Sequence, residues 1–222
     1  MANGLLQVKG LSVGFSKSEP LIQGIDLTVR PGEIIAITGP SGIGKTTLLR
    51  TMAGLLPPLE GHVVHGEGHS TPPRGSLGYI PQRLGLVRHA SVRHNVVLGA
   101  LTGTSSRFWP FSAEARERSR EAIAQLGLEG KIHAPIRKLS GGQQRRVATA
   151  RALAQRPRVL LADEFLGELD PATMESVRSA VMDYVTSQQS SMLMVEHDIE
   201  RARSMADRLL HVEDGRLLEV EA

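Results

Sequence analysis

Gly39-Pro40-Ser41-Gly42-Ile43-Gly44-Lys45-Thr46-Thr47 follows the apolar run Ile34-Ile35-Ala36-Ile37 and precedes a helix-forming stretch, Thr47 to Ala53. The first eight of these residues, Gly39 to Thr46, fit G-x-x-x-x-G-K-[ST]. The run ahead of them reads as a buried parallel strand. A strand that ends in a glycine-rich turn and feeds a helix aims backbone N–H groups at one point. The positive end of the helix dipole falls there too, so a polyanionic phosphate group is the natural occupant. Gly42 and Gly44 let the backbone curl with no Cβ in the way. Lys45 adds a mobile charge for the outer phosphates, and Thr46 offers a hydroxyl to Mg²⁺. A glycine turn with a chance lysine would not account for the strand and helix on either side.

The 222 residues suffice for one large α/β domain or two small ones. Apolar residues make up 41% and aromatics only 3%, so Leu, Ile, Val and Ala must fill the core. With 26 basic and 23 acidic residues the net charge is +3, too even to point to nucleic acid. Cysteine is absent, which excludes disulfides and thiolate metal sites and fits a reducing compartment. No stretch approaches the roughly 18 apolar residues of a membrane span. Met1 to Gly10 lacks a charged start followed by an apolar run, so no signal peptide is expected.

Around the loop, Val8 to Phe15, Ile25 to Val29, Glu60 to Val64, Leu77 to Ile80, Val159 to Ala162, Met192 to Val195 and Leu209 to Val212 read as strands. A polar loop is expected from Gly66 to Ser76. Strand and helix alternate, which predicts a mostly parallel sheet covered on both faces. From Arg83 to about Gln155 the apolar spacing becomes helical, at Val92, Val96 and Val97 and again at Ala115, Ala122, Ile123 and Leu126. This block reads as an inserted helical subdomain, with Gly103 to Phe111 breaking its helices. The core is then about 1–82 and 156–222, and the insertion about 83–155.

A second motif is Leu139-Ser140-Gly141-Gly142-Gln143 at the head of a helix running to about Ala154. Ser140 is a plausible N-cap, and the two glycines leave helix-start amides uncovered, a second anion-binding terminus. Val159-Leu160-Leu161-Ala162-Asp163-Glu164 is an apolar strand ending in two carboxylates. Gln82 follows Tyr79-Ile80-Pro81, and His197 stands in Val195-Glu196-His197-Asp198.

In this order the motifs resemble those of the ATP-binding cassette (ABC) ATPases, over about Leu5 to Leu218. The resemblance implies a P-loop NTPase with a RecA-like core, an N-terminal antiparallel β subdomain and the helical insertion. It matches Gly39 to Thr47 to the Walker A loop, Leu139 to Gln143 to the signature, Asp163-Glu164 to the Walker B end and catalytic carboxylate, Gln82 to the Q-loop, Gly167-Glu168-Leu169-Asp170 to the D-loop and His197 to the switch histidine. Phe15 is the candidate to stack on adenine. Phe165 stands where proline often follows the glutamate, and Gly167-Glu168 replaces a commoner pair of small residues.

Each position has a chemical reason. A carboxylate at the end of an apolar strand is costly unless it meets a cation, so Asp163, with Thr46 and Gln82, is the candidate metal set. Glu164, one residue on, can face the attacking water as general base. Gln82 could orient that water, and His197 could bond the γ-phosphate or Glu164. The plainer alternatives are a helix N-cap pair for the two carboxylates, a satisfied loop histidine for His197, core packing for Phe15 and a simple N-cap for Asp170. His62, His65 and His69 read as a polar surface loop rather than a metal site, and Arg116 to Arg120 as a solvated helix face.

By resemblance, two copies of the chain, or one copy and a homologous ATPase, face each other around ATP and Mg²⁺. Integral membrane permeases are the further partners, nucleic acid is not expected, and the place of work is the cytoplasmic face of the cell membrane. The segment Leu86 to Leu101, with Phe108-Trp109, resembles the ATPases of phosphonate importers. A lipoprotein-release or macrolide-export ATPase, an importer for another solute, a soluble ABC ATPase of DNA repair or translation, and a nucleotide sensor are the alternatives. The last is disfavoured by the intact Glu164.

Overall fold

The computed structural model describes residues 5–104, 113–167 and 169–220. They form two compact units, one from 1–73, 159–164 and 189–222 and the other from 74–158 and 165–188.

The first unit carries two sheets. In one, β1 (Leu6–Ser16) lies between β2 (Glu19–Val29) and β4 (Glu60–His65), all antiparallel. In the other, the strands β6 (Val159–Asp163), β7 (Ser191–Val195), β3 (Ile34–Thr38), β8 (Arg208–Glu213) and β9 (Arg216–Val220) lie in that order. The first four are parallel, and β9 returns antiparallel. Every residue of β3, β6 and β7 is buried, which is why these strands read as unbroken apolar runs rather than alternating ones. Ile37 lies opposite Val195, and Val195 opposite Asp163. The carboxyl ends of β3, β7 and β6 therefore sit side by side, where sheets of this type collect their ligands. The helices α1 (Lys45–Met52) and α6 (Ile199–Met205) belong to this unit.

The second unit holds β5 (Leu77–Ile80), α2 (Val92–Gly103), α3 (Ala113–Gln125), two 3-10 turns (Glu129–Lys131 and Ile136–Lys138), α4 (Gly141–Ala154) and α5 (Pro171–Gln188). Its core is aliphatic, with Val92, Val96, Ile123, Leu126, Val147 and Val177 fully or almost fully buried. Phe165, at the position where the sequence departs from the expected proline, is completely buried. Ser91 caps α2, accepting from the His94 amide at 3.2 Å. The buried Asn95 amide is satisfied by the Val87 N–H and C=O and the Ser91 C=O.

Backbone meets backbone where α2 crosses α4. A Cβ at Gly99 would lie 2.0 Å from the Arg151 carbonyl oxygen, and one at Gly103 would lie 1.8 Å from that of Gln155. Both pairs are four residues apart, so one face of α2 follows one face of α4 for a full turn.

Several elements extend or correct the sequence reading. β2 starts at Glu19 rather than Ile25, and α6 and β9 are additions. His62 and His65 belong to β4 rather than to a surface loop, and His65 is buried, its main chain paired with His69. Burial, aided by His69, holds the His65 pKa below the ordinary histidine value. Among the described residues no group of three or more His, Cys, Asp or Glu could hold a metal ion, and no helix is long and apolar enough to cross a membrane. Of the expected break from Gly103 to Phe111, residues 105–111, including Phe108-Trp109, lie outside the described residues, as does Glu168.

Candidate functional site

β3 ends at Thr38 and the chain enters the glycine loop. Gly39 (φ 135°) and Gly44 (φ 111°) have left-handed backbones that β-carbons would strain. Space forbids a side chain as well: a Cβ at Gly39 would come within 2.8 Å of the Val212 carbonyl oxygen, and one at Gly44 within 2.9 Å of Leu21. Gly44 is the N-cap of α1 and supplies no side-chain bond, and the first helical bond runs from the Leu48 amide to the Gly44 carbonyl. The amides of residues 45–47 thus have no partner within the helix, which makes this end a preformed anion cradle.

Lys45 is 4% exposed and donates to the Gly39 and Pro40 carbonyls at 2.6 and 2.7 Å. Burial lowers its pKa, and Glu164 and Asp163 pull the other way. The two carbonyls and the two nearby carboxylates oppose the cost of holding an ammonium there.

Asp163 is the last residue of β6 and is completely buried, and it accepts from the Thr46 hydroxyl at 3.1 Å. The hydroxyl and carboxylate form a hard-oxygen pair beside the glycine loop, the donor type that suits Mg²⁺. Mg²⁺ is commonly bound by one or two carboxylates plus phosphate oxygens, so a larger acidic cluster is not required.

Immediately after Asp163 the backbone turns left-handed at Glu164 (φ 49°), a conformation costing a non-glycine residue ~1 kcal/mol or more. The turn is held by a bond from the Glu164 amide to the Val195 carbonyl at 3.1 Å. It lets neighbouring carboxylates part: Asp163 stays buried, while the Glu164 side chain is 20% exposed and its Oε1 lies 2.6 Å from His197 Nε2. His197 follows β7, and Asp198 caps α6 through the Arg201 amide at 3.1 Å. Lys45, Thr46, Asp163, Glu164 and His197 thus fall in one unit at one sheet edge.

Glu196 is a residue the sequence reading passed over, although it lies inside a quoted motif. It is 3% exposed, with Oε2 3.4 Å from Arg201 and Oε1 without a hydrogen-bond partner among the described residues. Burial pushes its carboxyl above the usual range; Arg201 opposes this, and Asp198 and Glu164 add to it.

The remaining candidates, Phe15 excepted, belong to the second unit. Ser140 caps α4 in a capping box: its hydroxyl accepts from the Gln143 amide at 3.2 Å, and the Gln143 side chain accepts from the Ser140 amide at 3.1 Å. Those two donors are satisfied locally, which leaves the Gly141 and Gly142 amides as the outward ones. A Cβ at Gly141 would meet nothing within 4 Å. Asp170 does cap α5, accepting from the Thr173 amide at 3.0 Å, and the Thr173 bonds hold its carboxyl below the usual range. Gln82 lies in the second unit, where its carbonyl accepts from Arg145. Phe15 is 87% exposed near the end of β1, so it is no core residue and its ring is open for stacking.

A family model described as ABC transporter matches residues 22–167. The chain is 37% identical to the L-cystine transport system ATP-binding protein TcyN of Escherichia coli (strain K12), over 96% of this chain and 88% of that one. It is 39% identical to the lipoprotein-releasing system ATP-binding protein LolD of Ruegeria sp. (strain TM1040), over 99% and 100%. Other relatives in this range are import ATP-binding proteins named for phosphonates, aliphatic sulfonates and sulfate/thiosulfate. Among solved structures, a dimeric post-hydrolysis state of the ATP-binding cassette MJ0796 bound to ADP and Pi superposes with a TM-score of 0.85 at 27% identity, covering 98% of this chain and 99% of that one. Sequence and fold agree along nearly the whole chain, and it belongs to the ABC transporter family, as one of its ATP-binding, ATP-hydrolysing subunits.

Proposed function

We propose that this chain binds Mg·ATP at the 39–47 loop, pairs with a second copy or a homologous ATPase, and drives solute movement through separate integral membrane permeases at the cytoplasmic face. The observation that carries the reading is the adjacency of two pairs, Thr46 with Asp163 and Glu164 with His197, beside the glycine loop. The amides of residues 45–47 and the Lys45 ammonium take the phosphates, for which Lys45 exchanges its bonds to the Gly39 and Pro40 carbonyls. Thr46 and Asp163 would hold Mg²⁺, with Gln82 as the third candidate, and the charge it would supply there is a counter-charge for the outer phosphate oxygens. Glu164 accepts the proton of the attacking water, and His197 fixes the carboxylate that does so. Phe15 stacks on the adenine.

The Gly141 and Gly142 amides serve the γ-phosphate held by the other chain, so ATP closes the dimer and hydrolysis releases it. A dimeric relative carrying ADP and Pi supports this arrangement. The 83–155 block, and within it residues 83–99, is the docking surface for the permease. For the solute we propose phosphonate-type import, from the Leu86 to Leu101 segment and the phosphonates import relatives. Lipoprotein release is the second reading, favoured by a relative matched over its full length. Co-purification from native membranes, with identification of the bound subunits, decides between them.

The test of the chemistry is Glu164→Gln. ATP and Mg²⁺ binding should persist, hydrolysis should fall by ~10² or more, and closed dimers should accumulate with ATP. Near-normal turnover would refute Glu164 as the base.

A further inference from the structure

Between β5 and α2 the chain has no regular structure from residue 81 to residue 90. Its first carbonyls are nevertheless held, by arginines of one helix. Arg151 of α4 donates to Gly85 at 2.7 Å and Leu84 at 2.9 Å. Six residues closer to Ser140, Arg145 reaches Gln82 through Nη1 at 3.3 Å. Its other terminal nitrogen reaches a different segment, the Gly167 carbonyl, at 3.5 Å.

Arg145 is only 7% exposed. A buried guanidinium is costly to maintain unless its donors are used. Its geometry suits this task, because the planar fork points several N–H groups in fixed directions and can hold two carbonyls of separate segments at a set spacing. The segments so joined are the main chain at Gln82, the turn three residues beyond Glu164, and the helix that begins at Ser140. All three belong to the second unit.

We propose that Arg145 is a positioning residue, a yoke that makes the backbone at Gln82 and at Gly167 move with the helix headed by Ser140. It touches no reacting atom. The proposal rests on the reading above, in which Gln82, Ser140 and the chain leaving Glu164 all serve ATP turnover.

Hydrogen exchange and steady-state ATP hydrolysis on the purified chain test it. In Arg145→Met, amides in 82–85 and 165–167 should exchange about tenfold faster while β3 and β7 keep their protection. The kcat should fall about tenfold, within the range of coupling losses of this kind, while KM for ATP stays within about twofold. Arg145→Lys keeps the charge but not the fork, and should recover part of kcat and protect one segment better than the other. Arg151→Met is the control: it should loosen 84–85 and leave 165–167 unchanged.

Wild-type kcat in Arg145→Met, or unchanged exchange at either segment, would overturn the proposal. If Arg145→Met loses protection throughout, Arg145→Lys decides, and wild-type behaviour there at both segments overturns it too. Normal turnover in Glu164→Gln would sink the base assignment instead, while exchange at 82–85 and 165–167 would still decide the yoke.

Discussion

Glu196 is buried beside groups that cannot all be charged cheaply. Asp198 and Glu164 push its pKa upward in the direction burial already takes it, and Arg201 answers only in part. A carboxyl whose folded pKa is raised favours the native state when protonated. That contribution is full below the unfolded carboxylate pKa and is lost as pH rises through the folded one. Glu196→Gln keeps the shape and removes the charge. Its melting temperature relative to wild type should therefore climb as pH is raised from the ordinary glutamate range toward neutrality, while Arg201 keeps Asp198 as a partner. Thermal unfolding across that pH series checks it; a difference that is flat or falls with pH contradicts the assignment. The residue was hard to see in sequence because Glu beside His reads as a polar loop end, and only packing reveals that it is buried. Lys45, Thr46, Asp163 and Glu164 were legible because the chemistry of phosphate and Mg²⁺ binding dictates both their types and their spacing.

At the scale of elements, legibility followed burial. The strands β3, β6 and β7 stood out as uninterrupted apolar runs because both faces are covered. β9 is mostly exposed, with no clear alternation, yet it is set by the Asp214-Gly215 turn (φ 48° and 71°), a hairpin signal that was present in the sequence. The α2–α4 crossing was out of reach, since nothing in the sequence pairs Gly99 with Arg151. That crossing reverses an ordinary expectation. Gly→Ala inside a helix normally stabilises by about 0.8–1.0 kcal/mol. At Gly99 the new methyl would meet the Arg151 carbonyl, so Gly99→Ala should instead cost about 1–3 kcal/mol, lowering Tm by several degrees. Gly130→Ala, where a Cβ meets nothing within 4 Å, should stay within about 0.5 kcal/mol of wild type. Calorimetry on the two variants separates them, and equal Tm values would mean that the helices part without cost.

For the whole molecule, the decisive question is whether one ATP uses both helix starts of one chain or one from each of two. Lys45→Ala disables the first and Ser140→Arg the second. In a mixed dimer of these variants, a shared arrangement gathers both lesions at one site and leaves the other intact. ATP occlusion should then return at a single site, with hydrolysis returning partly if the sites are coupled. Zero occlusion in confirmed heterodimers would mean that each chain serves itself. The crossing of α2 and α4 adds a mechanical side to this picture. Two notches, one turn apart, seat on two carbonyls of the neighbouring helix. Such a joint tolerates tilt but not slip, because sliding would drive a ridge of side chains into the space only glycine leaves. A thrust delivered to α2 would arrive at Ser140 as displacement of nearly the same size, with little lost as play between the helices.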